Sequence, residues 1–298
     1  MYRTMRGGAV QPKKAPAITQ DRLFLWGATS LRGRRFENED AETLCNLCDV
    51  DPRLHQEESD LWTFAGLYDG HGGTAASAFC KDNLHTQLCR NKNFPSNTEK
   101  ALRLSFAYTD KLFTRQCVHN QSGGTTVLVS VVTEETVYVA NAGDSRAVYQ
   151  PRGDKPAVQV TTDHKPSVPS ERARILRAGA TVEVDSENTA RLDGVLSVSR
   201  AIGDIFLKNS GLTCIPEVYS IPTDDVDFII MACDGLWDVV STDEAAQLVR
   251  TLIANSDKLP TSEPIARSIS RRLCEHAIEV GSLDNVSVIL GLRKDLTV

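Results

Sequence analysis

The chain has 298 residues, with 39 acidic residues against 33 Lys and Arg, a formal charge of −6. Hydrophobic residues make up 41% and charged residues 24%, ordinary proportions for a globular protein that buries a full core without disulfides. The acidic balance argues against a nucleic-acid partner, which needs a clustered basic footprint. The longest apolar run, 228–233, is six residues, where a membrane span needs roughly 18 to 20.

Residues 1–20 carry Arg3, Arg6, Lys13 and Lys14 and no acid. No apolar stretch follows them, so they do not read as a secretory signal, and Pro12 and Pro16 interrupt an amphipathic helix. A disordered basic arm is expected over 1–20, ahead of a single domain over 21–298. Segments 61–68 and 126–133 are short, apolar and rich in β-branched or aromatic residues, as buried strands are. Helical patterns occupy 74–88 and 99–116. A strand over 136–142 follows the previous one after only Glu134 and Glu135, which predicts a tight hairpin. A short helix over 170–178 stops at Gly179, a natural C-terminal cap. Strands are then expected at 228–233 and 286–292, with helices over 242–255 and 263–280 between them. Helices come in pairs rather than after every strand, so the rhythm is not that of a doubly wound parallel sheet. Helix pairs outside a mainly antiparallel sheet or sandwich fit better.

Eight cysteines stand at 45, 48, 80, 89, 117, 214, 233 and 274, several within apolar stretches. Cys45 and Cys48 form the one close pair. A structural zinc site wants a second pair or two histidines at matching spacing, and neither is present. Reduced thiols in a cytoplasmic or nuclear protein are the expectation.

The chemistry lies in a recurrence. Asp69 ends one apolar run and is followed by Gly70; Asp234 ends another and is followed by Gly235, with Asp238 one turn on. Asp144 comes just past a strand, Asp284 just before one, and Glu39 and Asp40 stand early in the chain. A single Asp-Gly is most often a plain turn. Carboxylates gathered from five strand edges would repel one another, and a divalent cation reverses that sign. Hard oxygen donors select Mg2+ or Mn2+ over zinc.

His71, two residues beyond Asp69, can protonate a leaving oxygen. Arg35, Lys165 and Arg191 stand in polar, loop-like contexts; alone each reads as a surface charge, and beside a carboxylate cluster each becomes a candidate for holding phosphate. Gly123-Gly124 is a possible nucleotide cradle, although no phosphate-loop or dinucleotide fingerprint is present. There is no nucleophile elbow either, so a metal-activated hydroxide is the economical nucleophile.

Together these motifs resemble one family. RFENEDA, YDGHGG, SGGTTV, NAGDSRAV, TTDHKP with ERARILRAG, RLDGVLSVSRAIGD, IPEV, ACDGLWDV and SLDNVSVI occur in the order of the metal-dependent Ser/Thr protein phosphatases of type 2C, the PPM family, from about Leu23 to Leu292. The resemblance implies an α+β fold, a four-layer α-β-β-α sandwich of two antiparallel sheets flanked by helix pairs. It implies two Mg2+ or Mn2+ ions per active site, with a third, weaker one. Asp69 would bridge both metals, Asp234 and Asp284 would complete one, and Glu39 and the Gly70 carbonyl would serve the other, with Asp40 holding that shell. Asp144 and Asp238 match the acids of the third ion, Arg35 the phosphate-binding arginine and His71 the general acid. A hydroxide bridging the metals would attack phosphoserine or phosphothreonine in line. The implied partners are phosphorylated proteins, for a monomer with no nucleic acid and no membrane span, cytoplasmic and open to a nuclear role. Ala178-Gly179-Ala180 departs from the family's usual pattern, and the segment 205–215, which shapes the flap beside the substrate groove, is short. A binding protein without turnover, a hydrolase of small phosphate compounds and a metal store are the rival readings.

Overall fold

In a computed structural model, which describes residues 18–54, 62–116, 123–259 and 262–296, two antiparallel sheets face each other. One runs Ile18–Gln20, Phe24–Leu31, Val286–Arg293, Val226–Ala232, Arg146–Pro151, Val158–Gln159. The other runs Glu217–Pro222, Thr136–Ala142, Val127–Val132, Thr63–Tyr68, Ala41–Asn46. Helices Ala75–Arg90 and Thr98–Gln116 cover the outer face of the five-stranded sheet, and Thr242–Ala254 and Ile265–Glu279 cover that of the six-stranded one. This is the expected four-layer sandwich.

Each central strand feeds two cores, because its side chains alternate between faces. Ile229, Met231 and Cys233 point between the sheets, whereas Phe228, Ile230 and Ala232 pack under the outer helices. A register shift between Val226 and Phe228 explains why these two, although two apart, enter different cores. Val127, Val129 and Val131 face the first helix pair, and Leu128 and Val132 face the other sheet. Burial on both faces is what makes these strands read as unbroken apolar runs. Among the described residues, no helix is long and apolar enough to cross a membrane.

Strands Phe24–Leu31, Ala41–Asn46, Arg146–Pro151 and Glu217–Pro222 carry no such run and escape a reading by apolar pattern. The first contains Gly27, where a Cβ would lie 2.2 Å from the Arg267 amide of the overlying helix, so close packing demands the glycine that weakens the strand signal. Of the expected basic arm, residues 1–17 lie outside the described residues, as do Leu61 and Cys117. Ile18–Gln20 form an edge strand, turned back at Asp21, whose carboxylate accepts from the Leu23 and Phe24 amides, Trp26 Nε1 and Thr63 Oγ1. Cys80, Cys89, Cys214, Cys233 and Cys274 are buried free thiols.

Beside the sandwich sits a flap with its own small core of Ile175, Leu192, Val198, Ala201, Leu207 and Leu212. It comprises helix Pro169–Arg177, closed by Gly179 at φ +83°, the hairpin Val182–Val184 with Ala190–Leu192, and the short turn Ile205–Ser210. Glu171 braces it, and Arg200 ties it to the sandwich: the buried Glu171 carboxylate accepts from Ser199 Oγ at 2.6 Å and pairs with Arg174 at 2.6 Å and Arg200 at 2.8 Å, and Arg200 also pairs with Glu217 of the five-stranded sheet at 2.9 Å. Burial alone would raise the pKa of Glu171; the bonds from Arg200, Arg174 and Ser199 outweigh burial and hold it well below the usual carboxylate range. A carboxylate depressed in this way contributes stability above its unfolded pKa and loses it as the pH falls. Glu171→Gln should therefore lose about 3 kcal/mol in denaturant unfolding at neutral pH, and the gap to the parent should narrow below about pH 4. A gap of equal size at pH 3 and pH 7 would contradict the ion-pair account.

Candidate active site

The antiparallel register brings distant segments to one end of the sandwich. Ala41 pairs with Tyr68, Val127 with Ala142, and Ala232 with both Arg146 and Val288. The chain thus turns at that end near 31–40, 69–70, 143–145 and 233–234, and re-enters it before 286. Each turn carries an acid: Glu39 and Asp40, Asp69, Asp144, Asp234, Asp284. The recurrence seen along the sequence is one cluster in space.

Carboxylate oxygens of Asp69, Asp144 and Asp234 lie within 4.8 Å of one another, and Asp69 also lies within that range of Asp40 and the Cys233 thiol. Asp69 is common to both groups. Burial, then the charges of Asp234, Asp40, Asp144 and Asp284, push the Asp69 carboxyl well above its usual range. Burial and the charges of Asp144, Asp238 and Asp284 do the same to Asp234. Burial raises Asp40 to about 6 against the bond from Ser287, and Asp144 to about 6 against the nearby Lys165 charge. Burial keeps the Cys233 thiol protonated, and its sulfur accepts from the Ser287 amide. The cluster is therefore a set of hard oxygen donors short of positive charge, a fit for divalent cations of the Mg2+ and Mn2+ class.

Residues outside the predicted set hold these acids in place. Asn285 Nδ2 donates to the carbonyls of Arg32 and Glu37 at 2.8 and 2.9 Å, and its Oδ1 accepts from the Glu39 amide at 2.9 Å. It pins the loop that carries Arg35, Glu39 and Asp40. Ser287 Oγ donates to Asp40 Oδ2 at 2.5 Å. Gly70 pairs with Thr125, and a Cβ there would lie 2.4 Å from the Glu39 carbonyl oxygen. Glu39 Oε1 accepts from the Gly73 amide at 3.1 Å. The motif SLDNVSVI contained both Asn285 and Ser287, but nothing in it separates them from ordinary strand residues.

An open cavity of about 710 Å3 sits on the cluster, bordered by Arg35, His71, Arg191 and the acids Glu39, Asp69 and Asp284 among others. Arg35 Nη2 donates to Asp284 Oδ2 at 2.7 Å. Arg191, on the flap hairpin, donates to Asp185 at 2.7 Å. Lys165 does not reach the cavity wall: its ammonium lies 3.8 Å from both Asp144 and Asp238, and Asp238 is largely exposed. His71 Nε2 is 2.7 Å from Asp204 Oδ2, a residue that sequence reasoning left without a role. Gly124, in the segment read as a possible nucleotide cradle, lies against that His71–Asp204 pair.

Neutralising one member of a mutually repelling cluster relieves the rest. Asp69→Asn should raise the melting temperature of protein kept in chelator, by roughly 2 °C for each kcal/mol relieved. An unchanged or lowered value would show that the acids do not oppose folding.

Comparison with known proteins is consistent with this geometry. Residues 25–286 match the family model Protein phosphatase 2C. A probable protein phosphatase 2C of Oryza sativa subsp. japonica is 34% identical over 284 residues, covering 95% of this chain and 80% of that protein. A probable protein phosphatase 2C of Caenorhabditis elegans is 34% identical over 292 residues, covering 93% of this chain and 77% of that protein. The crystal structure of a serine-threonine phosphatase 2C from Toxoplasma gondii superposes with a TM-score of 0.79 at 25% identity, covering 93% of this chain and 97% of that one. The chain belongs to the protein phosphatase 2C family of metal-dependent Ser/Thr protein phosphatases.

Proposed function

We propose that the chain from the Ile18–Gln20 edge strand onward forms one catalytic unit, active as a monomer, that removes phosphate from phosphoseryl and phosphothreonyl proteins with two Mg2+ or Mn2+ ions. The observation that carries this reading is the position of Asp69, shared by two groups of ligand atoms within 4.8 Å. Asp69 would bridge the ions, Asp234 and Asp284 would hold one, and Glu39 with the Gly70 carbonyl would hold the other, Asp40 steadying that side. Bound there, the cations supply charge stabilisation for the phosphate and acidify an attacking water.

The chain's own groups do the rest. A guanidinium has five N–H donors, so the bond to Asp284 leaves Arg35 others with which to grip two phosphate oxygens and hold phosphorus in line. His71 gives a proton to the departing seryl or threonyl oxygen, which would otherwise leave as a poor, strongly basic alkoxide. Arg191 stands across the cavity on the flap and adds charge for the phosphoprotein. Asp144 and Asp238 would hold a third ion, and Lys165 would weaken that ion's binding, since its ammonium stands 3.8 Å from both carboxylates. Its own part in substrate binding would follow once a cation displaces it. The buried free thiols support a reducing compartment, the cytoplasm or the nucleus.

Asp234→Asn should lower Mn2+-dependent phosphate release from a phosphoseryl peptide by at least about 100-fold. Chelator should silence the parent, and added Mn2+ or Mg2+ should restore it. Near-parental turnover by the variant would remove Asp234 from the metal set.

A further inference from the structure

Three short strands close the catalytic end, in the order Ile202–Gly203, Gly124–Thr125, Gly70–His71. His71 pairs with Gly124, and Gly124 with Gly203. Asp204 follows at once, so His71 and Asp204 reach over a single glycine from opposite sides. Their Nε2 and Oδ2 meet at 2.7 Å. A Cβ on Gly124 would stand 2.0 Å from that Oδ2 and 2.8 Å from that Nε2, which leaves room for glycine alone.

Asp204 is built in rather than incidental. Its side chain is 3% exposed, against 31% for His71, which borders the cavity. Its backbone is left-handed, at φ 46° and ψ 51°, a region that Asp and Asn enter more readily than other side chains do. Its amide donates to the Gly123 carbonyl at 3.1 Å, and the Gly203 amide before it donates to Asp110 Oδ1 at 2.9 Å. No metal ligand proposed above needs this carboxylate.

We propose that Asp204 is a positioning residue for proton donation: it grips the His71 ring at Nε2 so that Nδ1 serves the leaving group. The inference rests on the reading of His71 as the proton donor. With Nε2 given over to the Asp204 oxygen, Nδ1 is the ring nitrogen left to carry the proton that is transferred. In the reaction, the oxygen of water bonds to phosphorus. The bond from phosphorus to the side-chain oxygen breaks, that oxygen keeps the electron pair, and it takes the Nδ1 proton. The proton lost by the attacking water returns to Nδ1 through solvent.

The test exploits leaving-group chemistry, since p-nitrophenolate departs without a proton and a seryl oxygen does not. Asp204→Asn keeps the shape and suits the same backbone region. Its kcat for a phosphoseryl peptide, divided by its kcat for p-nitrophenyl phosphate, should fall roughly 10- to 100-fold below the parent ratio, with KM for the peptide little moved. Gly124→Ala, which drives a methyl into the pair, should shift the ratio the same way and serves if the first variant folds poorly. His71→Gln is run beside them. A shifted ratio in His71→Gln with an unshifted one in both other variants overturns the role of Asp204 and spares His71. An unshifted ratio in His71→Gln overturns the reading of His71 itself and the positioning role with it.

Discussion

Asp69 occupies the point where four other carboxylates raise its affinity for a proton. Buried like charges at that separation cannot all remain ionised in a metal-free protein, and a protonated cluster has little use to a catalyst that works on anions. Positive charge resolves the conflict without protons. The need for cations, the choice of hard ones and the attraction of a phosphate dianion to an otherwise acidic surface all descend from this repulsion. The formal charge of −6 is thus concentrated in function, since at least seven of the acids are committed to one end of the fold.

The sandwich is what makes such a concentration tolerable. Antiparallel strands return to the same end on every second crossing, so five separate segments deliver their acids to one place while three apolar layers supply stability elsewhere. Destabilisation is confined to the loops. Those loops are in turn restrained by neutral hydrogen bonds from Asn285 and Ser287, and the flap is anchored separately through Arg200, which pairs with both Glu171 and Glu217. Lys165 and Arg35 partly offset the acids from the rim, each standing close to a carboxylate of the cluster.

How far the sequence could be read follows the same physics. Strands buried on both faces, such as Val127–Val132 and Val286–Arg293, announce themselves as apolar runs, and the acids at their ends stand out against that background. Glu217–Pro222, on an edge and mostly half-buried or exposed, has no such contrast. Phe24–Leu31 hides behind its glycine. Side chains that act on the reacting atoms are visible because their chemistry is unusual for their surroundings. Asn285 and Asp204 act only through others, and Asp204 meets its partner 133 positions away. Such pairings exist in three dimensions alone, and local pattern carries no trace of them.

The proposed function requires that one carboxylate, Asp69, join two cations into a single centre. Electron paramagnetic resonance of metal-free protein titrated with Mn2+ tests it directly. The account predicts that the first two equivalents bind as a pair whose spins couple, and that Asp69→Asn abolishes the coupled signal. A spectrum of isolated, uncoupled Mn2+ throughout the titration of the parent would contradict it.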